Sequence, residues 1–325
     1  MKPPPRRAAR LILLLVSAGL SLLVAEVALR IAGVGSPIFY HPDPHRGWAL
    51  RPGAEGWQRH EGEAWVHVNS RGLRDEEHAI PKPPGEVRIA VLGDSCVEAI
   101  QVPVEETFWA LLEKELAACP AVATPQGKKT VQAVSFGVSG YGTAQELLTL
   151  RHEVWDYEPD LVLLAFYSGN DVRNNYRPLE QDPGRPYFTL PETSGSAELA
   201  LDDSFRETGG YRFRRSLPGR MVYGALDRSR VLQLAKQAKT VVDGWIGAWK
   251  AGRQEKGAAL QELGLDNAVY QPPATPEWTQ AWRVTEAMVR AMRDETAGRG
   301  VPFGVVSLTT GMQVHPDPAV LKAFV

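Results

Sequence analysis

Cysteine is scarce in this chain. Only Cys96 and Cys119 occur in 325 residues, too few for a disulfide framework or a cysteine-based metal cluster. Net charge is almost absent as well. The 36 basic and 38 acidic residues leave −2, which gives no electrostatic reason to expect a nucleic-acid partner. What the chain does have is 44% apolar residues, enough for a sizeable core. Its length suits one large domain, or one domain with additions.

One apolar run stands out. Lys2, Arg6, Arg7 and Arg10 precede an uncharged stretch from Leu11 to Ala25. Apolar character continues to Val34, interrupted by Glu26 and Arg30. The uncharged core alone is short for a span and suits a signal peptide. Counted to Val34 it is long enough to cross a bilayer, with Glu26 and Arg30 near the far interface. No small-x-small cleavage site stands out. Residues 1–34 are therefore read as an uncleaved single-pass anchor, and the basic flank predicts that the rest of the chain is extracytoplasmic.

Residues 35–84 are rich in Pro, Gly, His and Trp and read as a juxtamembrane segment that lies against the domain, with a short strand near Trp65–Asn69. Asp75-Glu-Glu-His78 has Asp-x-x-His spacing, but it stands in a charged run ahead of the first sheet strand. It reads as a solvated turn rather than a catalytic pair.

From residue 85 onward strands and helices alternate. Val87 to Leu92, Val131 to Phe136 and Leu161 to Phe166 are short apolar runs typical of buried strands. A helix is predicted from about Glu105 to Ala118, with Phe108, Leu111, Leu112 and Leu116 on one face. Another is predicted from a Thr143 cap to about Tyr157, and a third after Thr275-Pro276, with Trp278, Trp282, Thr285, Val289 and Met292 roughly on one face. Phe303 to Ser307 reads as a fourth strand. The alternation implies a doubly wound parallel α/β sheet.

Each of the first three strands ends in a polar, glycine-containing turn: Gly93-Asp94-Ser95, Ser139-Gly140 and Gly169-Asn170-Asp171. In a parallel sheet these ends converge on one edge, where open α/β sheets bind ligands. Acyl transfer needs a nucleophile and donors for the oxyanion. The Ser95 hydroxyl, the backbone N–H groups of Ser95 and Gly140 and the Asn170 carboxamide supply that set. Cys96, next to the serine, reads as a small buried residue, with a second nucleophile as the rival reading.

These three turns resemble the first three motif blocks of the SGNH (GDSL) hydrolase superfamily, whose serine matches Ser95, glycine Gly140 and asparagine Asn170. The resemblance covers Val87 to Asp171, and the anchor and Trp/Gly-rich segment look like those of membrane-anchored bacterial members. It implies a flavodoxin-like three-layer α/β/α fold, ester hydrolysis or acyl transfer, and no metal or cofactor. Cys96 departs from the large apolar residue often found at that position.

The family's fourth block, Asp-x-x-His near the carboxyl terminus, supplies the base and its orienting acid. No such motif follows Asn170. His315, in Val-His-Pro-Asp-Pro, is followed by its acid, Asp317, rather than preceded by it, and prolines stiffen its loop. His152 lies inside a helix and reads as a surface residue. The expectation is a sheet incomplete at its carboxyl end, with the base beyond Val325 and a chain that is inactive as written. Residues 85–325 form the hydrolase domain, with an insertion over 172–274 that is expected to wall the site. Its basic, Trp-bearing helix from Arg228 to Lys250 is expected to pack its apolar face on its own domain, lying on a membrane being the alternative. The function expected is a membrane-anchored serine esterase acting on an ester-bearing small molecule, lipid or polysaccharide. The alternatives are an O-acyltransferase on cell-envelope polysaccharide and a non-catalytic scaffold.

Overall fold

A computed structural model describes residues 6–59, 61–119, 130–190, 199–251, 269 and 272–309. The chain divides into two compact units, Met1–Ile38 with Arg214–Ala258, and Phe39–Phe213 with Ala259–Val325.

The first unit holds α1 (Arg6–Ile31), the end of α6 (Gly209–Arg215), α7 (Leu217–Arg228) and α8 (Arg230–Ala251). Within α1, Ala9–Ile31 is 23 residues long with a mean hydropathy of 2.4 and is unburied. The apolar face expected to pack on its own domain is instead open on α8. Val241, Val242 and Trp245 are 54%, 50% and 75% exposed.

The second unit begins with two antiparallel hairpins, β1 (Tyr40–Asp43) with β2 (Gly47–Leu50) and β3 (Glu55–Gln58) with β4 (Ala64–His67). Residues 39–84 are thus part of a folded unit. Phe39, Leu50, Ala54, Val66 and Val68 share a core cluster with Ile100, Val138 and Tyr141. Next come β5 (Glu86–Gly93), α2 (Ser95–Glu98), α3 (Phe108–Ala118), β6 (Thr130–Gly137), α4 (Thr143–His152), β7 (Leu161–Tyr167) and α5 (Asp171–Asn174). After a small hairpin, β8 (Tyr187–Thr189) with β9 (Ala200–Asp202), the unit closes with α9 (Pro276–Gly298) and β10 (Phe303–Leu308).

β5, β6, β7 and β10 form one parallel sheet in the order β10-β7-β5-β6. Counted in chain order these four strands run 2-1-3-4, the flavodoxin-like order. The pleat sends alternate residues to opposite faces. Ile89 and Val91 pack with Val97 and Trp109 of α2 and α3. Ala90 and Leu92 pack with Leu147 and Leu148 of α4 and with Met288 and Met292 of α9. The result is three layers, helix over sheet over helix.

Three local expectations change. On α3 the buried residue is Trp109, whose indole donates to the Val97 carbonyl at 2.9 Å, while Phe108 and Leu111 are exposed. The contact is to Val97 of α2, the four-residue helix that begins at Ser95. On α4, Gly142 is the cap and Thr143 is already helical. Asp75 and His78 are not a solvated turn: their side chains are 4% and 5% exposed and 3.1 Å apart. Asp75 accepts the backbone N–H of Ser135 at 2.8 Å, and Glu113 accepts that of Ala133 at 2.9 Å. These carboxylates satisfy N–H groups on the open edge of β6, which a sheet must otherwise leave unpaired. His78 Nε2 lies beside the Asp75 carboxylate, and its Nδ1 is 3.2 Å from Gln132 Oε1.

Candidate active site

The site lies at the carboxyl ends of β5, β6 and β7, where the strand order reverses. Gly93 pairs with Gly137 on one side and with Ala165 on the other, so the three following turns start side by side. A Cβ at Gly93 would stand 2.3 Å from Val97 Cγ2. Its absence lets α2 fold back over the strand it follows.

Asp94 caps α2 by accepting the Cys96 N–H at 2.9 Å. Ser95 is the first helical residue and is half-buried. An N–H in a first helical turn has no intrahelical acceptor, and that of Ser95 has no partner among the described residues. The Asn170 carboxamide donates to Asp94 Oδ2 at 3.1 Å. That bond ties the end of β7 to the residue preceding the serine and leaves the second amide hydrogen unused by Asp94.

Gly140 adopts a left-handed backbone, φ +78°, which only glycine takes at little cost. Its N–H also has no partner among the described residues. The loop around it is held from three sides. Glu98, at the end of α2, accepts the Ser139 N–H. The Trp48 indole donates to the Ser139 carbonyl at 3.1 Å, and Arg185 donates to the Gly140 carbonyl at 2.9 Å. The Val138 N–H reaches the Gly93 carbonyl at 3.3 Å. These hydrogen bonds link the Ser95 turn separately to the Gly140 loop and to Asn170.

Glu98 is completely buried, and the Tyr40 hydroxyl donates to its two carboxylate oxygens at 2.8 and 3.0 Å. Arg74 donates to the carbonyls of Glu98 and Ala99, both at 2.6 Å, closing the carboxyl end of α2. Sequence reading did not single out Tyr40, Trp48, Arg74, Glu98 or Arg185. All but Glu98 lie in the segments read as juxtamembrane or as insertion. The one available signal was Glu98, an acid in an otherwise apolar turn.

Burial, and next the Asp94 carboxylate, push the Cys96 thiol up to about 12. It stays protonated at neutral pH and is a poor nucleophile. His152 is exposed and stacks on His45 with ring centroids 3.8 Å apart. It sits at the far end of α4 from Thr143, about 14 Å along the axis. Among the described residues no histidine is hydrogen-bonded to Ser95; His315 lies outside them.

Glu146 on α4 and Asp171 on α5 are buried behind the turns. Both carboxylate oxygens of Glu146, and Oδ1 of Asp171, have no hydrogen-bond partner among the described residues. Burial raises the pKa of both well above the carboxylate range; charge repulsion adds to it, from Asp94 at Glu146 and from Glu146 and Asp94 at Asp171. The native state therefore holds protons that the unfolded chain releases above about pH 4. Stability from these groups is fully present below that pH and is lost as pH rises through the folded pKa values. Glu146→Gln removes one of these titrating groups. Its stability relative to wild type, read from urea midpoints, is expected to be more favourable at pH 8 than at pH 5. An offset equal at both pH values would contradict this assignment.

No family model matches the chain, and no curated relative does. Among solved structures it is similar to TesA at 28% identity, over 26% of this chain and 42% of that one, with a TM-score of 0.22. The chain thus spans less than half the length of TesA. It is also similar to a putative acylhydrolase from Bacteroides fragilis at 14% identity, covering 66% of this chain and 92% of that one, with a TM-score of 0.18. A GDSL-like lipase from Bacteroides thetaiotaomicron matches at 14% identity, over 63% and 88% of the two chains, with a TM-score of 0.16. At these TM-scores the likenesses carry no weight for the site, and the fold stands on the strand order observed in this chain.

Proposed function

We propose that this chain is a membrane-anchored serine acyl hydrolase of the SGNH type, acting on ester bonds. The observation that carries the reading is the Asn170–Asp94 hydrogen bond, which ties a carboxamide from the third turn to the residue that precedes Ser95. Ser95 Oγ attacks the acyl carbonyl. The N–H groups of Ser95 and Gly140 and the free amide hydrogen of Asn170 receive the developing oxyanion. Each such donor typically contributes about 10²–10³ in kcat. The base that takes the serine proton lies outside the described residues. α1 spans the membrane with its basic end inside. The 23 residues of Ala9–Ile31 reach about 34 Å as a helix, enough to cross.

The test uses the full-length protein in detergent or nanodiscs with p-nitrophenyl esters of increasing acyl length. Hydrolysis, with release of the free acid, supports the reading. Turnover only when a polyhydroxylated acceptor is added assigns the site to an O-acyltransferase. No turnover and no fluorophosphonate labelling of a folded protein assigns the fold to a scaffold.

A further inference from the structure

We infer that α7 and α8 form a second membrane-contacting element, with α8 lying in the plane of the lipid headgroups beside α1. This rests on the reading of α1 as a span. Its own grounds are contacts inside the first compact unit.

The amino end of α8 is fixed to α1. Glu26, inside the apolar stretch, accepts the N–H groups of Arg230 at 3.0 Å and Val231 at 3.1 Å, and the Ser229 hydroxyl at 3.0 Å. Arg30 donates to the Arg228 carbonyl and pairs with Glu26 at 2.8 Å. Further on, the Ser36 N–H reaches Gln233 Oε1 at 2.8 Å and the Ile38 N–H reaches Asp227 Oδ1 at 3.2 Å. The corner between α7 and α8 is therefore bonded to the chain from Glu26 to Ile38. Glu26 is five residues before the end of α1, about 7.5 Å along the axis. A carboxylate at that depth needs donors, and the open amino end of α8 supplies them. In a bilayer spanned by α1 this places the start of α8 at the headgroup boundary.

The rest of α8 has the composition of an interfacial helix. At 100° per residue Leu234, Ala238, Val241, Val242 and Trp245 share one face, and Lys236, Lys239 and Asp243 the other. The apolar face is open, with Leu234 also exposed. On α7, Leu217 and Met221 are 65% and 68% exposed. From Arg214 to Ala251 eight basic residues stand against Asp227 and Asp243. An exposed apolar face, a basic opposite face and a tie to a span fit an anionic lipid surface. Lys236, Lys239 and Asp243 argue against α8 itself crossing.

The test is collision accessibility of spin labels in nanodiscs containing anionic lipid, on the full chain with Cys96→Ser and Cys119→Ser. Labels go at Val241→Cys, Val242→Cys and Trp245→Cys, at Lys236→Cys and Lys239→Cys, and at Leu20→Cys within α1. All these positions are exposed, so substitution leaves the packing intact. The expected result is a severalfold higher ratio of oxygen to aqueous nickel-chelate collision at 241, 242 and 245 than at 236 and 239. Leu20 in lipid with 241–245 open to the chelate would overturn the inference and leave the span standing. Exclusion of both reagents from 241–245 would mean that protein, such as a second copy, covers the face, and would also overturn it. Leu20 open to the chelate would remove the span reading and this inference together.

Discussion

Ser95→Ala is expected to abolish fluorophosphonate labelling and to lower ester turnover by roughly 10³–10⁶-fold, the range seen when a serine nucleophile is removed. The hydroxyl starts α2 at the rim of the sheet, and its loss removes the attacking atom without disturbing Asp94, whose cap on the Cys96 N–H uses no part of the serine side chain. The neighbouring thiol provides the control. Because burial and Asp94 hold Cys96 in the protonated form, Cys96→Ala is expected to keep its labelling. Labelling that survives in Ser95→Ala and disappears in Cys96→Ala would transfer the nucleophile to the thiol.

Arg88→Met is expected to cost about 3–5 kcal/mol of stability, as removal of one partner from a buried ion pair does. Arg88 is fully buried near the amino end of β5. Its guanidinium pairs with Glu86 at 2.5 Å and donates to Gln132 at 2.8 Å, to the Tyr157 carbonyl at 2.9 Å and to the Ala79 carbonyl at 3.2 Å. Those bonds join β5, β6, the end of the α4 connection and the segment before the sheet. Methionine fills much of the volume but strands the Glu86 carboxylate, whose side chain is only 6% exposed. At 2–4 °C per kcal/mol for a domain of this size, the melting temperature should fall by about 10 °C. Adding Glu86→Leu should recover most of the loss, because a buried pair exchanged for apolar groups is often neutral. A single variant within 1 kcal/mol of wild type would show that the pair contributes little.

The sheet was legible because its signals are local. Val87–Leu92, Val131–Phe136 and Leu161–Phe166 are apolar runs bounded by glycine-bearing turns, and each observed strand begins and ends within a residue of its run. The three turns were legible for the same reason. What holds them was not. Tyr40, Trp48 and Arg74 come from residues whose Pro- and Gly-rich composition hides two hairpins of four-residue strands, and Arg185 arrives from beyond the third turn. Their roles depend on contacts 24 to 91 residues apart in sequence, which no periodicity records. Asp75 and His78 misled for a related reason: a charged run ordinarily faces water, and only the open edge of β6 gives the acid a buried use. The open face of α8 has its own physical cause, since a helix tied to α1 need not be covered by its own domain.

The most direct test of the site is a crystal structure of the full-length protein after reaction with a fluorophosphonate. Phosphorus bonded to Ser95 Oγ is expected, with one phosphoryl oxygen about 2.7–3.1 Å from the Ser95 and Gly140 nitrogens and from Asn170 Nδ2. An adduct on another residue, or a phosphoryl oxygen turned to solvent with Gly140 and Asn170 beyond hydrogen-bonding reach, would contradict the account.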